Sequence, residues 1–285
     1  MKKRLNRSRI TCPLCRNDNI TIKEKFNRNQ IIAGWVKRFG YDVSEDIKGS
    51  TIIIRLNCNT CGLGFFNPMP MASKELYAHL ANEPWYYEKN KWEYYEAVQD
   101  TATCRTLLEI GSGRGEFIAQ LQARGIKGIG LEINEKAKNE AQSLGRAVYD
   151  QNIEDISEQF DVVCCFQVLE HLADPERFIK LALSKVKPGG LFIIAVPNND
   201  SYIKYERNLI NCPPHHVTRW NTRSLRFLTC LFPLSIERIS YEPITSERFH
   251  LVTDAYCSAL PNIPGFIGVI YRISRWLLLP VIRNF

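Results

Sequence analysis

The chain has no uninterrupted hydrophobic run long enough to span a bilayer, no internal repeat and no low-complexity tract. The missing repeats exclude a solenoid or a propeller. A membrane-crossing helix needs about 20 consecutive apolar residues. The most apolar stretches, Ile263–Tyr271 and Trp276–Ile282, are too short and are separated by Arg272 and Arg275. No apolar segment follows the basic start at Lys2, Lys3, Arg4, Arg7 and Arg9, so a secretory signal peptide is not expected. These absences predict a cytoplasmic protein. The segment 246–285, apolar and basic, is expected to be helical. It packs on the chain or on a partner, or else makes peripheral contact with the inner face of a membrane.

The 285 residues suffice for one large domain or two modest ones, and 45% hydrophobic with 24% charged residues is ordinary for a globular protein. The net charge of +7 is concentrated partly in the first nine residues. A solvated tail is the simplest reading of that arm, and contact with nucleic acid or anionic lipid is the alternative. Of the ten cysteines, four fall in two C-x-x-C pairs, and Cys164 and Cys165 sit in an apolar, strand-like run. That usage fits a reducing compartment and one metal site rather than a disulfide framework.

Cys12-Pro-Leu-Cys15 and Cys58-Asn-Thr-Cys61 each have the spacing that lets two thiolates grip one tetrahedral ion. The strand-like Thr51–Leu56 leads into the second pair, as in a zinc ribbon. The gap between the pairs exceeds the usual 15–20 residues, so the ribbon must carry an insertion. With four cysteine ligands and no open position, the Zn2+ would be structural. Residues 1–70 are therefore assigned to a zinc-ribbon-like module. Residues 71–102 form a helical linker rich in Tyr and Trp, which either glues the module to the next domain or lines a pocket by stacking.

From Thr106 the pattern is a buried strand, then glycines at alternate positions (Gly111, Gly113, Gly115, with Ser112 between the first two), then an amphipathic helix ending near Gly125. Glycines there let the backbone turn tightly and approach a ligand, and the amides at the helix start can meet a polar group. The spacing is G-x-G-x-G, not the G-x-G-x-x-G of dinucleotide sites. Glu109 precedes the first glycine by two positions. Glu132, followed by Ile133, ends the next strand about 20 residues on, where a carboxylate can hold both ribose hydroxyls. Further on come Phe160-Asp161-x-Val163, then Gln167-Val-Leu-Glu170-His171-Leu-x-Asp174-Pro175, then Lys187-Pro-Gly-Gly190 and Pro197-Asn198.

These motifs resemble those of class I S-adenosylmethionine-dependent methyltransferases over roughly Thr103–Asn198. The resemblance implies an α/β, Rossmann-like, doubly wound and mostly parallel seven-stranded sheet over residues 103–245, with a sixth strand from Leu234 to Ile244. It implies S-adenosyl-L-methionine as cofactor, with Glu109 near the methionine amino end and Gln167 near its other side. Asn152 and Ile153 would meet the adenine, and Gly111, Ser112, Gly113, Gly115, Glu132 and Ile133 would complete the binding set.

A hydroxyl acceptor benefits from a base, and imidazole titrates near neutrality. His171 and His216, with His215 beside it, are the candidates, and Glu170 orients one of them or takes part directly. The leading expectation is transfer to a small molecule, a sugar or glycan precursor, because a zinc-bearing module on this kind of domain is similar to sugar methyltransferases. An RNA methyltransferase with a zinc-binding recognition module is the alternative. Against it, four cysteines complete the metal set without a histidine, and strand four lacks an N/D-P-P-Y ending. A zinc-ribbon adaptor with an inactive domain is a third reading, opposed by the intact glycines and Glu132.

Overall fold

A computed structural model describes residues 10–205 and 208–245, with Phe249, Val252, Thr253 and Ala255 beyond them. The basic arm and most of the segment 246–285 lie outside the described residues. Those up to Ser201 and from Asn208 to Pro243 form one compact unit, and Tyr202–Tyr205 belongs to a second.

The centre of the first unit is a sheet of five strands: β4 (Thr106–Ile110), β5 (Lys127–Leu131), β6 (Val148–Tyr149), β7 (Phe160–Phe166) and β8 (Val186–Ala195). They lie in the order β6-β5-β4-β7-β8, and every pair is parallel. The chain winds outward from β4 to β6, then crosses over to β7 on the other side of β4. Ligand crevices open at such a reversal, outside the carboxyl ends of the strands. The two-residue period of a strand sends Leu108, Ile110, Val163 and Cys165 to one core and Leu107, Val162, Cys164 and Phe166 to the other. The first face is covered by α6 (Pro175–Ser184), the second by α3 (Trp92–Asp100) and α4 (Glu116–Gln122). The helix α5 (Glu135–Ser143) connects β5 to β6, with Asn134 capping it through Ala137 N at 3.2 Å.

The expected seven strands are five among the described residues. Leu234–Ile244, expected as a strand from the resemblance, carries none and pairs with no strand among the described residues. The aromatic stretch from Ser73 is not one helical pattern either. Pro84 cannot donate to a helix ladder, and it separates α2 (Lys74–Leu80) from α3. Leu76 and Leu80 of α2 pack with the N-terminal module, whereas Tyr94 and Ala97 of α3 pack on the parallel sheet.

The cysteine-bearing part is an antiparallel sheet of β1 (Ile20–Asn27), β2 (Ile52–Cys58), β3 (Gly64–Asn67) and β9 (Thr218–Arg219). The long gap between the cysteine pairs holds β1 and α1 (Arg28–Phe39), which ends at Gly40 with φ 65° and its N–H on Val36 O. The strand β9 comes from the far end of the chain, just ahead of α7 (Thr222–Arg226) and α8 (Leu228–Leu231). One apolar cluster runs from Cys12, Leu14, Cys58 and Cys61 through fully buried Trp220 to α6.

Cys12, Cys15, Cys58 and Cys61 bring four sulfurs within 4.8 Å of one another. The Cys12–Cys61 and Cys15–Cys58 sulfur distances are 3.5 Å, far beyond a disulfide bond. A tetrahedral zinc with bonds of about 2.3 Å requires sulfurs roughly 3.8 Å apart, so the residues fit a structural Zn2+. Around them, Gly62 N donates to Cys58 O, Arg223 reaches Asn59 O and Thr60 O, and Arg16 pairs with Asp174 and Glu176 at the start of α6. The metal is thus expected to stabilise the joint between the two sheets. Cys61→Ser should lose the tightly held zinc equivalent and cost about 3 kcal/mol or more. That is a Tm lower by about 6–12 °C, checked by elemental analysis and calorimetry.

At the base of the parallel sheet, Asp161 accepts hydrogen bonds from Arg105 N and Thr106 N, both at 2.9 Å, and pairs with Lys187 Nζ at 2.7 Å. The Lys187 ammonium, then the two amides, hold its carboxyl far below the ordinary range. A depressed folded pKa gives stability present above the unfolded pKa and lost as pH falls through the folded one. Asp161→Asn should therefore destabilise at pH 7 by about 1–2 kcal/mol. Urea unfolding should show that gap closing as pH drops below about 4.

Candidate active site

The loop after β4 needs its glycines. Gly111, Gly113 and Gly115 have φ of 77°, 53° and 68°. A Cβ on each would come within 2.6 Å of Val168, 2.8 Å of the Tyr87 ring and 2.8 Å of Val148, respectively. Gly111 N and Ser112 N donate to Leu131 O, which pins the loop across the end of β5. Ser112 turns its hydroxyl inward, 3.5 Å from the same carbonyl. Glu132 accepts from Gly113 N and from Asn134 N, both at 2.7 Å. Burial raises its pKa while those amides pull it back down. A carboxylate has about four lone-pair positions, so two remain for a diol. Ile133 beside it is 60% exposed, an apolar surface at the crevice edge. Asn152 and Ile153 stand at the start of a single 3-10 turn after β6, Asn152 exposed and Ile153 half-buried.

Glu109, in β4, is buried with neither carboxylate oxygen hydrogen-bonded. Burial drives its pKa well above the usual carboxylate range, and Lys91 only partly offsets that. An unpaired buried carboxyl is costly unless a cation or donor reaches it, and a ligand's ammonium group is such a partner. Gln167, at the end of β7, holds the left-handed φ of 57°, donates its N–H to Ala195 O, and reaches Glu93 Oε1 at 3.4 Å. These groups fit S-adenosylmethionine: a backbone cradle that admits no Cβ, a clamped acid able to accept from the ribose, and an orphaned acid able to accept from the ammonium.

A second group assembles on the neighbouring loops. Glu170 and His171 lie on one 3-10 turn, Leu169–His171, after β7. His215 and His216 come from the loop before β9. The loops are tied by Val217 N to Glu170 O at 2.8 Å and Thr218 Oγ1 to Leu169 O at 2.9 Å. The His215 and His216 rings stack at 4.5 Å, and His171 meets them edge-on at 4.6 and 4.9 Å.

The tautomers follow from the partners. His171 Nδ1 is 2.7 Å from His215 O, and His215 Nδ1 is 3.1 Å from Ile210 O. A carbonyl only accepts, so each Nδ1 carries the proton and each Nε2 keeps a lone pair. The Tyr86 hydroxyl therefore donates to His215 Nε2, at 3.3 Å. Burial lowers His171 to about 4 and holds His215 and His216 well below the ordinary imidazole range. All three are neutral at pH 7. Glu170, with both oxygens buried and unpaired, is pushed up to about 8 by burial. Its Oε1 is 4.0 Å from His216 Nε2, too far for a hydrogen bond.

Sequence reasoning singled out the aromatic stretch without saying which rings matter. Tyr87 covers Gly113 and carries the Arg114 guanidinium 5.4 Å from its ring. Tyr86 packs edge-on against Tyr87 at 5.1 Å and tilted against His215 at 5.8 Å. Tyr77 meets His171 edge-on at 5.7 Å. A wall of three tyrosines thus runs from the glycine loop to the histidines. Only the run of aromatics was visible in one dimension; its contacts depend on the turn at Pro84.

A family model described as "Methyltransferase domain" matches residues 82–233, more than half of the chain. A ubiquinone biosynthesis O-methyltransferase from Coxiella burnetii is 28% identical, over 54% of this chain and 74% of its own length. A probable S-adenosylmethionine-dependent methyltransferase from Mycolicibacterium smegmatis is 25% identical, over 55% and 62%. A crystal structure of a SAM-dependent methyltransferase from Archaeoglobus fulgidus is 22% identical over 66% of this chain and 88% of that one, with a TM-score of 0.43. The match spans the glycine loop, Glu132, the Gln167–His171 motif and the paired histidines, and the chain belongs to the methyltransferase-domain family as an S-adenosylmethionine-dependent methyltransferase.

Proposed function

We propose that the chain methylates a hydroxyl of a small, sugar-like acceptor bound beside the joined cluster of tyrosines and histidines. One observation carries this reading: Tyr87 lies on the cofactor loop at Gly113, and Tyr86 joins it to His215. Cofactor cradle and neutral imidazoles are therefore neighbours in one crevice. S-adenosylmethionine, when bound, supplies a methyl group on a positive sulfur, so much of the activation is already in the cofactor.

The chain's own residues orient, exclude water and move a proton. The backbone of Gly111–Gly115 and the Glu132 carboxylate hold the nucleoside, and Glu109 holds the ammonium group. Asn152, Ile133 and Ile153 flank the base. On the acceptor side, Tyr77 and Tyr86 offer apolar faces of the kind a sugar ring stacks on. His171, its Nδ1 proton committed to the His215 carbonyl, presents Nε2 as the proton acceptor. His216 and Glu170 complete that end of the pocket. The imidazole side would take the hydroxyl proton as the acceptor oxygen receives the methyl group that the cofactor would supply. The O-methyltransferase named among the relatives supports oxygen as the acceptor atom.

Glu132→Ala should weaken S-adenosylmethionine by about 5- to 150-fold, the roughly 1–3 kcal/mol of charge-assisted hydrogen bonds. Calorimetry showing an unchanged affinity removes Glu132 from this role. His171→Asn should leave cofactor affinity intact and lower kcat by about 100- to 10,000-fold, the usual scale of acid–base assistance. The assay follows labelled methyl transfer to hydroxylated sugars. Transfer to RNA but to no sugar would overturn the acceptor assignment.

A further inference from the structure

We infer that His171, His215 and His216 form a divalent transition-metal site in the acceptor pocket, with Glu170 as the carboxylate beside it. One ligating atom from each histidine lies within 4.8 Å of the other two. Two of the rings are oriented as ligands are: a backbone carbonyl takes each Nδ1 proton, at 2.7 Å for His171 and 3.1 Å for His215, leaving both Nε2 lone pairs for a metal. Metal-bound histidines almost always donate their other ring N–H in this manner. The independent sign is Glu170, which is 1% exposed, has both oxygens without a partner, and faces His216 Nε2 at 4.0 Å. An orphaned buried acid is costly unless a donor or a cation joins it.

Metal–nitrogen bonds of about 2.0–2.1 Å put tetrahedral nitrogens about 3.3–3.4 Å apart. The ligating atoms lie within 4.8 Å of one another, so closing onto an ion takes side-chain movement, and Tyr86 gives up a long 3.3 Å hydrogen bond to His215. Imidazole donors select zinc, iron, cobalt or nickel over magnesium or calcium. Three histidines leave a coordination position open, as in catalytic metal sites. A hydroxyl bound there loses its proton more readily. The inference thus deepens the acceptor-side reading above and rests on it: the imidazoles would act through the ion instead of taking the proton themselves.

The test uses full-length protein with the four-cysteine zinc in place, freed of loosely held metal by a mild chelator and titrated with Co2+. The expected result is one further equivalent, with the visible d–d absorption of nitrogen and oxygen ligation and no sulfur charge-transfer band. His171→Asn and His216→Asn should each weaken that equivalent at least about 100-fold. Both should keep the cysteine-bound zinc and unchanged S-adenosylmethionine affinity, which shows that they fold. No second equivalent in the folded wild type, or one that survives both substitutions, overturns the site. Full transfer activity without the second ion, abolished by His171→Asn, also overturns it and leaves the imidazole as base. Tight Co2+ binding at these histidines, with no transfer to any hydroxylated acceptor, upholds the metal site and removes the transfer reading instead.

Discussion

Two backbone amides on one carboxylate set the geometry of the crevice. Glu132 takes Gly113 N and Asn134 N, both at 2.7 Å. The first bond fixes the glycine loop at the end of β4, and the second fixes the start of α5. Leu131 O adds two more bonds to the same loop through Gly111 and Ser112. The loop is therefore part of the sheet edge rather than a free connection. A site built this way keeps its shape without a ligand, so little ordering is left for binding to offset.

The same edge holds groups that oppose folding. Glu109 and Glu170 are both buried with no hydrogen bond, and each costs roughly 1–3 kcal/mol or more. A domain is stable by about 5–15 kcal/mol, so two such groups are a large concession. They lie on β4 and directly after β7, the two strands that flank the reversal in strand order. A fold optimised only for stability would place apolar residues there, as Leu107, Leu108, Val162 and Val163 are placed along the same two strands. The cost is rational if each acid waits for a positive partner: an ammonium group at Glu109 and a cation at Glu170.

How far the sequence could be read depended on the range of the interaction. The strand, glycine loop and helix from Thr106 to Gln122 are consecutive, so their pattern was legible, as was Glu132, which lies a fixed βαβ unit away. The cysteine pairs were legible because thiolate spacing within each pair is local chemistry. Leu234–Ile244 misled because a family resemblance that covers roughly Thr103–Asn198 says nothing of whether a later segment finds a pairing partner. Arg238 there pairs with Glu96 and Asp100 of α3, while Ile236, Tyr241 and Ile244 stay exposed. The helical linker expected over 71–102 is broken around Pro84, which has no N–H for a helix ladder, into α2 and α3. The meeting of His171 with His215 and His216, across 44 residues, could be nominated residue by residue but not placed.

That meeting also ties the cysteine-bearing sheet to the proposed acceptor side. The chain segment that carries His215 and His216 continues directly into β9, which pairs with β3 of that sheet, and Phe66 N of β3 donates to Val217 O. Val217 N in turn binds Glu170 O. One residue thus links the outer sheet to the turn that bears Glu170 and His171. Arg223 and Asn221, just beyond β9, hold Asn59 O, Thr60 O and Gly62 O of the second cysteine knuckle. A four-cysteine ion that stiffens this knuckle therefore fixes the far end of the loop on which two of the three histidines stand. The distance from metal to imidazole is covered by backbone hydrogen bonds and buried rings, which transmit position poorly only when they can slide. Among them is Trp220, fully buried with Nε1 on Thr218 Oγ1, in the close packing of a protein interior.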